Sequence, residues 1–269
     1  MIINITQHCT LKCPHCMQCA GPERTEFMSE ETFGKALAFA DKIGSNSLLI
    51  SGGEPTSHPK FLEFLEAALG KSVFVSVLSN GTFLRDHAFT ERYASLVREK
   101  RNFSMQISSF KGLYSNYDEI HKPNLKGLRL FGKKAVLCDE TNTQMKMKPL
   151  GRACSGKWYD EAKKDNGFPS CANSCLILAQ SAKINLFGVI MESYARFCSP
   201  MVSWDGSIRL GESEQCKVVA NVAEPFEKVI DKIYEFRPCG GCDSYKWHFQ
   251  HPTTDMEKKV CGVLWPDRK

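Results

Sequence analysis

The stretch Ser47-Leu-Leu-Ile-Ser-Gly-Gly-Glu-Pro55 passes from a short apolar segment directly into a glycine-rich turn. An apolar run of this length, stopped at once by two glycines, predicts a buried strand that ends at residue 51. Upstream, apolar residues recur at helical spacing between Ser29, a suitable N-cap, and Gly44. A helix followed by a strand and a loop is the repeating unit of an α/β fold.

The same alternation continues through the first 110 residues. We expect further strands at 2–6, 73–78 and 103–109, and further helices at 59–69 and about 87–99. Strands separated by helices favour a parallel sheet with the strand-following loops at one edge, where α/β folds place their chemistry. Beyond residue 110 the pattern weakens, with possible strands at 135–138 and 145–147.

Composition excludes several classes of protein. Of 269 residues, 42% are hydrophobic and 24% are charged, which is typical of a globular chain and excludes disordered and collagen-like classes. The net charge of +5 is spread without a basic run, so we expect no nucleic-acid partner. No apolar stretch of about 18 residues predicts a membrane span, and the N-terminus lacks the pattern of a signal peptide. We therefore expect a cytoplasmic protein with no membrane partner.

Thirteen cysteines are unusual for such a protein. Cytoplasmic thiols stay reduced, so disulfides do not explain the number, whereas metal binding does. The sequence Cys9-Thr-Leu-Lys-Cys13-Pro-His-Cys16 places three thiols close together. Three adjacent cysteines suit a four-iron cluster with one open iron, at which a small molecule can chelate. A zinc knuckle and three incidental buried thiols are the alternatives from this motif alone.

The turn Gly52-Gly53-Glu54-Pro55 follows the next strand along the chain. Two glycines let a ligand approach the backbone, and a neighbouring carboxylate can accept hydrogen bonds from an ammonium group. Taken alone, the motif also fits an ordinary turn. Its position one helix and one strand beyond the cysteines favours a shared site at the same edge of the sheet.

Together these two motifs resemble those of the radical S-adenosylmethionine (radical SAM) enzymes. His15 lies where that family usually has an aromatic residue against the adenine. Ser79-Asn80-Gly81 is similar to the family's third-strand segment, and Ile107-Ser108 is similar to its fourth, whose polar residue reaches the cofactor. The resemblance covers about the first 110 residues.

The resemblance implies a partial (β/α) barrel that binds a [4Fe-4S] cluster and S-adenosylmethionine. The open iron would bind the amino and carboxylate groups of S-adenosylmethionine, and Glu54 would hold its ammonium group. Reduction by a flavodoxin- or ferredoxin-type donor would yield methionine and a 5′-deoxyadenosyl radical that takes hydrogen from a substrate carbon. The cofactors carry this chemistry, while the protein positions them and excludes water.

The second half of the chain has its own cysteine pattern. Cys198 and Cys216 flank a predicted hairpin, a predicted helix follows, and Cys239-Gly-Gly-Cys242 comes after the helix. Four such thiols can surround one metal, and a structural zinc is the alternative. In a radical SAM chain the arrangement resembles the twitch domain, a shortened SPASM domain, which implies one fully ligated auxiliary [4Fe-4S] cluster. The positions of a second SPASM cluster hold His248 and Pro252 instead.

The remaining cysteines leave alternatives open. Cys261 could donate a hydrogen atom to a substrate radical, or it is a buried structural thiol. Cys154, Cys171 and Cys175 could hold a further metal, although the sequence around them matches no familiar pattern. The sequence Pro149-Leu-Gly-Arg152 resembles a turn often found between the barrel and the auxiliary domain, and it also fits an ordinary turn.

We therefore predict an α/β chain with three parts. Residues 1–150 form a partial, open TIM-type barrel of about six strands, abridged in its second half. Residues 151–195 form a linking region, and residues 196–269 form a small domain that binds the auxiliary cluster.

The expected function is radical-based hydrogen abstraction that leads to oxidation or epimerisation of a substrate. Because the first predicted strand starts at residue 2, we expect no N-terminal peptide-recognition domain, which favours a small-molecule substrate. One alternative is a ribosomal-peptide maturase that crosslinks or epimerises a precursor peptide with a separate recognition protein. A second alternative, of another class, is a non-catalytic metal-binding scaffold.

Overall fold

An open, eight-stranded sheet organises the part of the chain that the computed structural model describes. That part comprises residues 1–71, 73–114, 125–139, 141, 151–154, 200–211 and 213–235. The strands are β1 (Ile2–Asn4), β2 (Ser47–Ser51), β3 (Phe74–Ser79), β4 (Phe103–Ser108), β5 (Ala135–Cys138), β6 (Met201–Val202), β7 (Ser207–Arg209) and β8 (Val218–Asn221). Their spatial order is β5-β4-β3-β2-β1-β6-β7-β8.

Strand direction divides this sheet into two parts. The strands from β5 across to β1 pair in parallel, and β6 pairs in parallel with the other edge of β1. The last three strands, β6 to β8, form an antiparallel meander. A mainly parallel sheet that does not close on itself is the partial barrel predicted from the sequence.

Five α-helices accompany the sheet in the described part of the chain, of which the first four lie between strands β1 and β5 and the last follows β8. They are α1 (Glu30–Lys42), α2 (Phe61–Leu69), α3 (His87–Val97), the single turn α4 (Leu125–Leu128) and α5 (Phe226–Glu235). The predicted N-cap of α1 is confirmed, because Ser29 Oγ accepts a hydrogen bond from Thr32 N at 3.1 Å. Within the described ranges, no helix has the length and apolar content needed to cross a membrane.

Successive side chains along the strands alternate between a face of the sheet that packs in the hydrophobic core and a face that lines a cavity. Leu48 and Ile50 of β2 are buried in the hydrophobic core, whereas Leu49 and Ser51 between and beyond them line a cavity. Successive side chains of a strand point to opposite faces, so each strand serves both the core and the cavity. The same alternation puts Leu78 of β3 in the cavity wall.

Aromatic side chains dominate the packed face. Tyr93 of α3 is fully buried, and its ring lies edge-on to Phe61 at 5.1 Å and to Phe131 at 5.0 Å between ring centroids. Phe33 of α1 stacks on Phe64 of α2 at 4.2 Å. Edge-to-face and offset contacts of this kind add to the free energy gained from burying the rings. They fix the helices against the sheet beneath the strand-end loops.

The second half of the chain joins the sheet of the first half. Ile2 of β1 lies opposite Met201 of β6, and the predicted hairpin forms between β6 and β7. Strands β6 to β8 thus continue the barrel sheet, and the predicted domain limits at 150 and 196 stay predictions. The possible strand at 145–147 lies outside the described residues.

Candidate active site

The loop between β1 and α1 carries the first cysteine motif. Cys9 N donates a hydrogen bond to Gly21 O at 3.1 Å, which brings the two ends of the segment 9–21 together. Within that segment, Cys16 N donates to Cys13 O at 3.2 Å and Cys19 N donates to Cys16 O at 3.3 Å. These bonds close the loop at its base and coil it into two successive turns at the carboxyl end of β1, where α/β folds bind ligands.

A cavity of about 350 Å³ borders this loop. Cys9, Cys13 and Cys16 line it together. It is also lined by the predicted cofactor-binding residues His15, Gly52, Gly53, Ser79, Asn80 and Ser108. Its volume falls within the range of about 300–1,000 Å³ that small-molecule sites occupy. Four loops that the sequence analysis assigned to one edge of the sheet therefore meet around a single space.

The thiols of this cavity are held in an environment that disfavours three free negative charges. Burial, with smaller contributions from negative charge on Glu54, Cys13 and Cys16, raises the pKa of Cys9 to about 12, although a hydrogen bond from Leu11 N acts in the opposite direction. Burial also raises the pKa of Cys13 to about 11, with an added contribution from Cys16. Thiolates this close repel one another, so a bound cationic metal centre would stabilise them.

A single zinc ion and a four-iron cluster would require different arrangements of the three thiols. Among the described side chains, no three His, Cys, Asp or Glu residues converge on the position of one metal ion. Thiolates around one zinc ion lie about 3.8 Å apart, because each bond is about 2.3 Å long and the geometry is tetrahedral. In a four-iron cluster each thiolate binds a different iron, which spaces the sulfurs more widely. Three cysteines on one cavity wall would suit the second arrangement, with each thiolate bound to a different iron.

Gly52 and Gly53 bring the loop after β2 against the cysteine loop. A Cβ atom at Gly53 would lie 2.1 Å from His8 O, and one at Gly52 would lie 2.5 Å from Thr6 O. Gly53 N donates to Thr6 O and Glu54 N donates to His8 O, each at 2.8 Å. The two glycines are therefore required by the close approach of the protein's own backbone, in addition to any ligand.

Glu54 lies behind the cavity wall and is 1% exposed. Its Oε1 accepts hydrogen bonds from Ser79 Oγ at 2.9 Å and Thr56 N at 3.1 Å, and its Oε2 accepts one from Asn80 N at 2.7 Å. Burial raises the pKa of Glu54, and these hydrogen bonds act in the opposite direction. Thr56 Oγ1 also donates to Oε1, at 2.5 Å. All four donors are neutral, so they solvate the carboxylate without cancelling its charge. Pro55, also buried, begins the short helical turn that supplies Thr56 N.

Asn80 links the loop after β3 to the cysteine loop. Its Nδ2 lies 3.6 Å from Cys9 Sγ and 3.2 Å from Thr10 Oγ1, while its Oδ1 accepts from Thr82 N at 2.9 Å. The side chain is thereby fixed in the cavity wall beside the first thiol. An amide that donates to sulfur also stabilises a thiolate at that position.

His15 and Tyr114 form an aromatic part of the wall. Their ring centroids lie 5.1 Å apart in an edge-on arrangement, and both residues line the cavity. Burial lowers the pKa of His15 to about 4, with a contribution from the positive charge of Arg152, so the ring is neutral at neutral pH. Ser108, at the end of β4, is a hydrogen-bond partner of Tyr114. An uncharged aromatic wall suits a flat heterocycle such as adenine.

Several residues of the cavity wall were not identified by the sequence analysis. They are Ile2, Asn4, Leu11, Met17, Gln18, Leu49, Ser51, Leu78 and Tyr114. The strand residues among them could have been found, because alternation from the core residues Leu48 and Ile50 predicts which positions face the other way. Tyr114 belongs to no motif, so no local pattern predicts its place in the cavity wall.

The second cysteine set is described only in part. Cys216 follows β7, where its N–H donates to Ser213 O at 2.9 Å and its carbonyl oxygen accepts from Arg209 Nε at 3.1 Å. The other expected ligands of the auxiliary cluster, Cys198, Cys239 and Cys242, lie outside the described residues. Cys171, Cys175 and Cys261 also lie outside them, as does the side chain of Cys154.

The fold and the site define an open α/β barrel with a thiol-lined cavity at the loop edge of its sheet. Residues 3–124 match the family model of the Radical SAM superfamily. This range contains most of β1, all of β2 to β4 and the three cysteines of the cavity. That part of the chain is therefore similar to a radical SAM domain.

Individual relatives match over shorter shares of their length. The antilisterial bacteriocin subtilosin biosynthesis protein AlbA of Bacillus subtilis is 39% identical over 84 residues, which are 30% of this chain and 18% of AlbA. The GTP 3′,8-cyclase of Desulforamulus reducens is 31% identical over 108 residues, which are 38% of this chain and 33% of the cyclase. The chain thus matches a third or less of the length of these curated relatives.

A solved structure extends the likeness over nearly the whole chain. The structure of anSMEcpe with bound AdoMet and Cp18Cys peptide has a TM-score of 0.51 and 15% sequence identity. The alignment covers 97% of this chain and 87% of that one. At this identity the likeness establishes the fold.

Proposed function

We propose that this protein is a radical SAM enzyme that holds a [4Fe-4S] cluster on Cys9, Cys13 and Cys16 and binds S-adenosylmethionine beside it. The observation that carries the proposal is the cavity that these thiols share with the loops after β2, β3 and β4. The similarity of residues 3–124 to a radical SAM domain supports it, as does the AdoMet bound to a neighbour of the same fold.

Different residues in and behind the cavity wall bind different parts of the cluster and of S-adenosylmethionine. Three cysteine ligands leave one corner of a cubane cluster open to a chelating small molecule. His15 provides a neutral aromatic surface for the adenine, and Ser108 and Asn80 provide polar contacts. Glu54, behind the cavity wall, provides a negative charge for the ammonium group of the methionine part. When bound, the cluster and S-adenosylmethionine supply an electron and a 5′-deoxyadenosyl radical that removes hydrogen from a substrate carbon.

A peptide is the first candidate for the substrate. AlbA is named for the biosynthesis of a bacteriocin, and the anSMEcpe structure contains a peptide beside AdoMet. A small molecule, which the sequence analysis favours, is the second candidate, and the similarity to a GTP 3′,8-cyclase supports it. Both candidates share the same first step, the abstraction of hydrogen from carbon.

We assign Cys198, Cys216, Cys239 and Cys242 to an auxiliary [4Fe-4S] cluster that accepts an electron. After hydrogen abstraction, the substrate radical would lose one electron to this cluster and one proton to solvent, which gives a product two hydrogens poorer. Epimerisation is the alternative outcome, in which the Cys261 thiol returns a hydrogen atom to the substrate radical. The flavodoxin- or ferredoxin-type electron donor also remains part of the proposal.

The experiment is anaerobic incubation of the reconstituted protein with dithionite, S-adenosylmethionine and candidate substrates in deuterated water. One set of arms contains precursor peptides, and the other contains nucleotides and other small metabolites. We expect 5′-deoxyadenosine to rise above the substrate-free level in an arm with a true substrate. Protein with a full complement of iron that forms no 5′-deoxyadenosine in any arm, even the slow uncoupled amount, would contradict the proposed function.

Mass spectrometry of the product then separates the two outcomes. Oxidation gives a mass two hydrogens lower with no deuterium at carbon. Epimerisation through Cys261 gives an isomer with one solvent deuterium, and Cys261→Ala would prevent its formation. One deuterium at an inverted carbon would show the oxidation assignment to be wrong.

A further inference from the structure

The backbone of the cysteine loop is held by a residue far along the chain. Arg152 donates from Nε to Cys13 O at 2.8 Å and from Nη2 to Ala20 O at 2.7 Å. Its own backbone N–H donates to Cys16 O at 3.0 Å. One residue therefore binds carbonyl groups near the start, the middle and the end of the segment that carries two of the three cavity cysteines.

Gly151 allows this close approach. It has φ +61, and a Cβ atom there would lie 2.3 Å from Cys16 O and 2.5 Å from Met17 O. Its N–H donates to Gln215 Oε1 at 2.9 Å, so the glycine is also held by the turn that leads to Cys216. The pair Gly151-Arg152 thus packs directly on the backbone between Cys13 and Ala20.

The turn that leads to Cys216 supports the same loop. Ser213 Oγ donates to Met17 O at 2.7 Å, and Glu214 N donates to Gln18 Oε1 at 3.0 Å. Loop carbonyls have no partners in a regular ladder, so donors from outside must satisfy them. Here such donors come from two segments that lie more than 130 residues away in sequence.

We infer that Arg152 is a positioning residue for the iron–sulfur cluster, fixing Cys13 and Cys16 in place for ligation and raising the cluster's reduction potential through its positive charge. The inference rests on the proposed function, because it requires a cluster on these thiols. Holding the loop in advance lowers the conformational entropy that cluster assembly must remove. A fixed cation beside an anionic cluster favours the form with one more electron, and outer-shell groups commonly tune metal sites in this way.

The test uses two substitutions that separate geometry from charge. Arg152→Lys keeps the positive charge but cannot reproduce the planar fork that reaches two carbonyls. Arg152→Gln removes both. Arg24→Gln is the matched control, because Arg24 lies in the same loop and pairs with Glu26 at 2.6 Å. Far-UV circular dichroism of each variant confirms that the fold is kept.

Two properties are measured on the anaerobically reconstituted full chain. The first is the rate of iron loss to a chelator, and the second is the midpoint potential of the cluster whose electron paramagnetic resonance signal changes on addition of S-adenosylmethionine. We expect both Arg152 variants to lose iron about tenfold faster or more. Arg152→Gln lowers the midpoint potential, while Arg152→Lys and Arg24→Gln leave it close to that of the unmodified protein.

Each result has a distinct meaning. If the unmodified protein shows a cluster that responds to S-adenosylmethionine and Arg152→Gln matches it in iron loss and potential, the inference is overturned and the proposed function stands. If the unmodified protein shows no such cluster, both are overturned. If Arg152→Gln does not fold, Arg152→Lys decides alone, and iron loss at the unmodified rate overturns the positioning role.

Discussion

Glu54, after the end of β2, accepts a hydrogen bond from the backbone N–H of Asn80, after the end of β3, at 2.7 Å between Oε2 and N. The same carboxylate accepts from Ser79 Oγ on its other oxygen. Two strand-end loops are therefore joined by one buried negative charge. The loop it holds presents Asn80 to the thiol of Cys9.

Substitution of Glu54 by Ala should weaken S-adenosylmethionine binding by about tenfold or more. The change removes the negative charge proposed to attract the ammonium group, an interaction comparable in size to a hydrogen bond to a charged group, about 1.5–3 kcal/mol. It also leaves Asn80 N without its acceptor, so stability should fall. Titration of S-adenosylmethionine into variant protein with full iron content measures the affinity, and Glu26→Ala, an acidic residue in the cysteine loop, is the control. Unchanged affinity in Glu54→Ala would refute the role of this carboxylate.

Gly53 should be intolerant of the smallest side chain. A Cβ atom would lie 2.1 Å from His8 O, which belongs to the backbone and cannot move aside cheaply. We expect Gly53→Ala to lower the free energy of unfolding by about 3 kcal/mol, the upper part of the usual overpacking range. Denaturant unfolding of the two proteins measures the difference.

Gly34 provides the matched control for this substitution. It lies inside α1, and a Cβ atom there meets nothing within 4 Å. Gly34→Ala should therefore stabilise the protein by about 1 kcal/mol, the helix-propensity difference between the two residues. If Ala at positions 34 and 53 changed the free energy of unfolding equally, the close contact at Gly53 would make no contribution to stability.

Tyr93 should tolerate loss of its hydroxyl group but not of its ring. The residue is fully buried, and its hydroxyl has no hydrogen-bond partner among the described residues. Tyr93→Phe should leave the free energy of unfolding unchanged or raise it by about 1 kcal/mol, since a buried unpaired hydroxyl costs energy. Tyr93→Ala should lower it by about 3–5 kcal/mol through the cavity left behind. A loss above about 1 kcal/mol in Tyr93→Phe would reveal a partner for the hydroxyl.

The local spacing of apolar residues predicted most strands and helices in the first half of the chain. The strands at 47–51 and 103–109 and the capped helix after Ser29 agree with the structure to within a few residues. These elements follow from the spacing of apolar residues and from glycine and cap positions, which are encoded locally. The pairing of β1 with β6 could not be read in this way, because it joins residues about 200 positions apart and depends on which sheet edge is free.

In the candidate site, too, residues within local motifs could be predicted from the sequence, whereas residues placed by long-range packing could not. Residues inside motifs, such as Cys13 and Asn80, could be identified because each motif follows a predicted strand. Tyr114 and the contacts of Arg152 with the cysteine loop could not, because they arise from long-range packing. The sequence analysis predicted a close approach of a ligand to the backbone at Gly53. In the structure, the backbone of His8 makes a close approach there.

Iron content tests the number of clusters. The reconstituted protein should hold about eight irons if both cysteine sets bind a [4Fe-4S] cluster. Combined replacement of Cys9, Cys13 and Cys16 by Ala should leave about four, whereas Cys19→Ala, in the same loop but outside the motif, should leave all eight. An unchanged iron content in the triple variant would show that these thiols do not hold a cluster.

Formation of 5′-deoxyadenosine by these two variants tests the central claim most directly. Each variant is incubated anaerobically with dithionite and S-adenosylmethionine, and the nucleoside is quantified by liquid chromatography. We predict that Cys19→Ala forms 5′-deoxyadenosine as the unmodified protein does, and that the triple variant at Cys9, Cys13 and Cys16 forms none. Continued formation of 5′-deoxyadenosine by the triple variant would contradict the assignment of these three thiols to the cluster that cleaves S-adenosylmethionine.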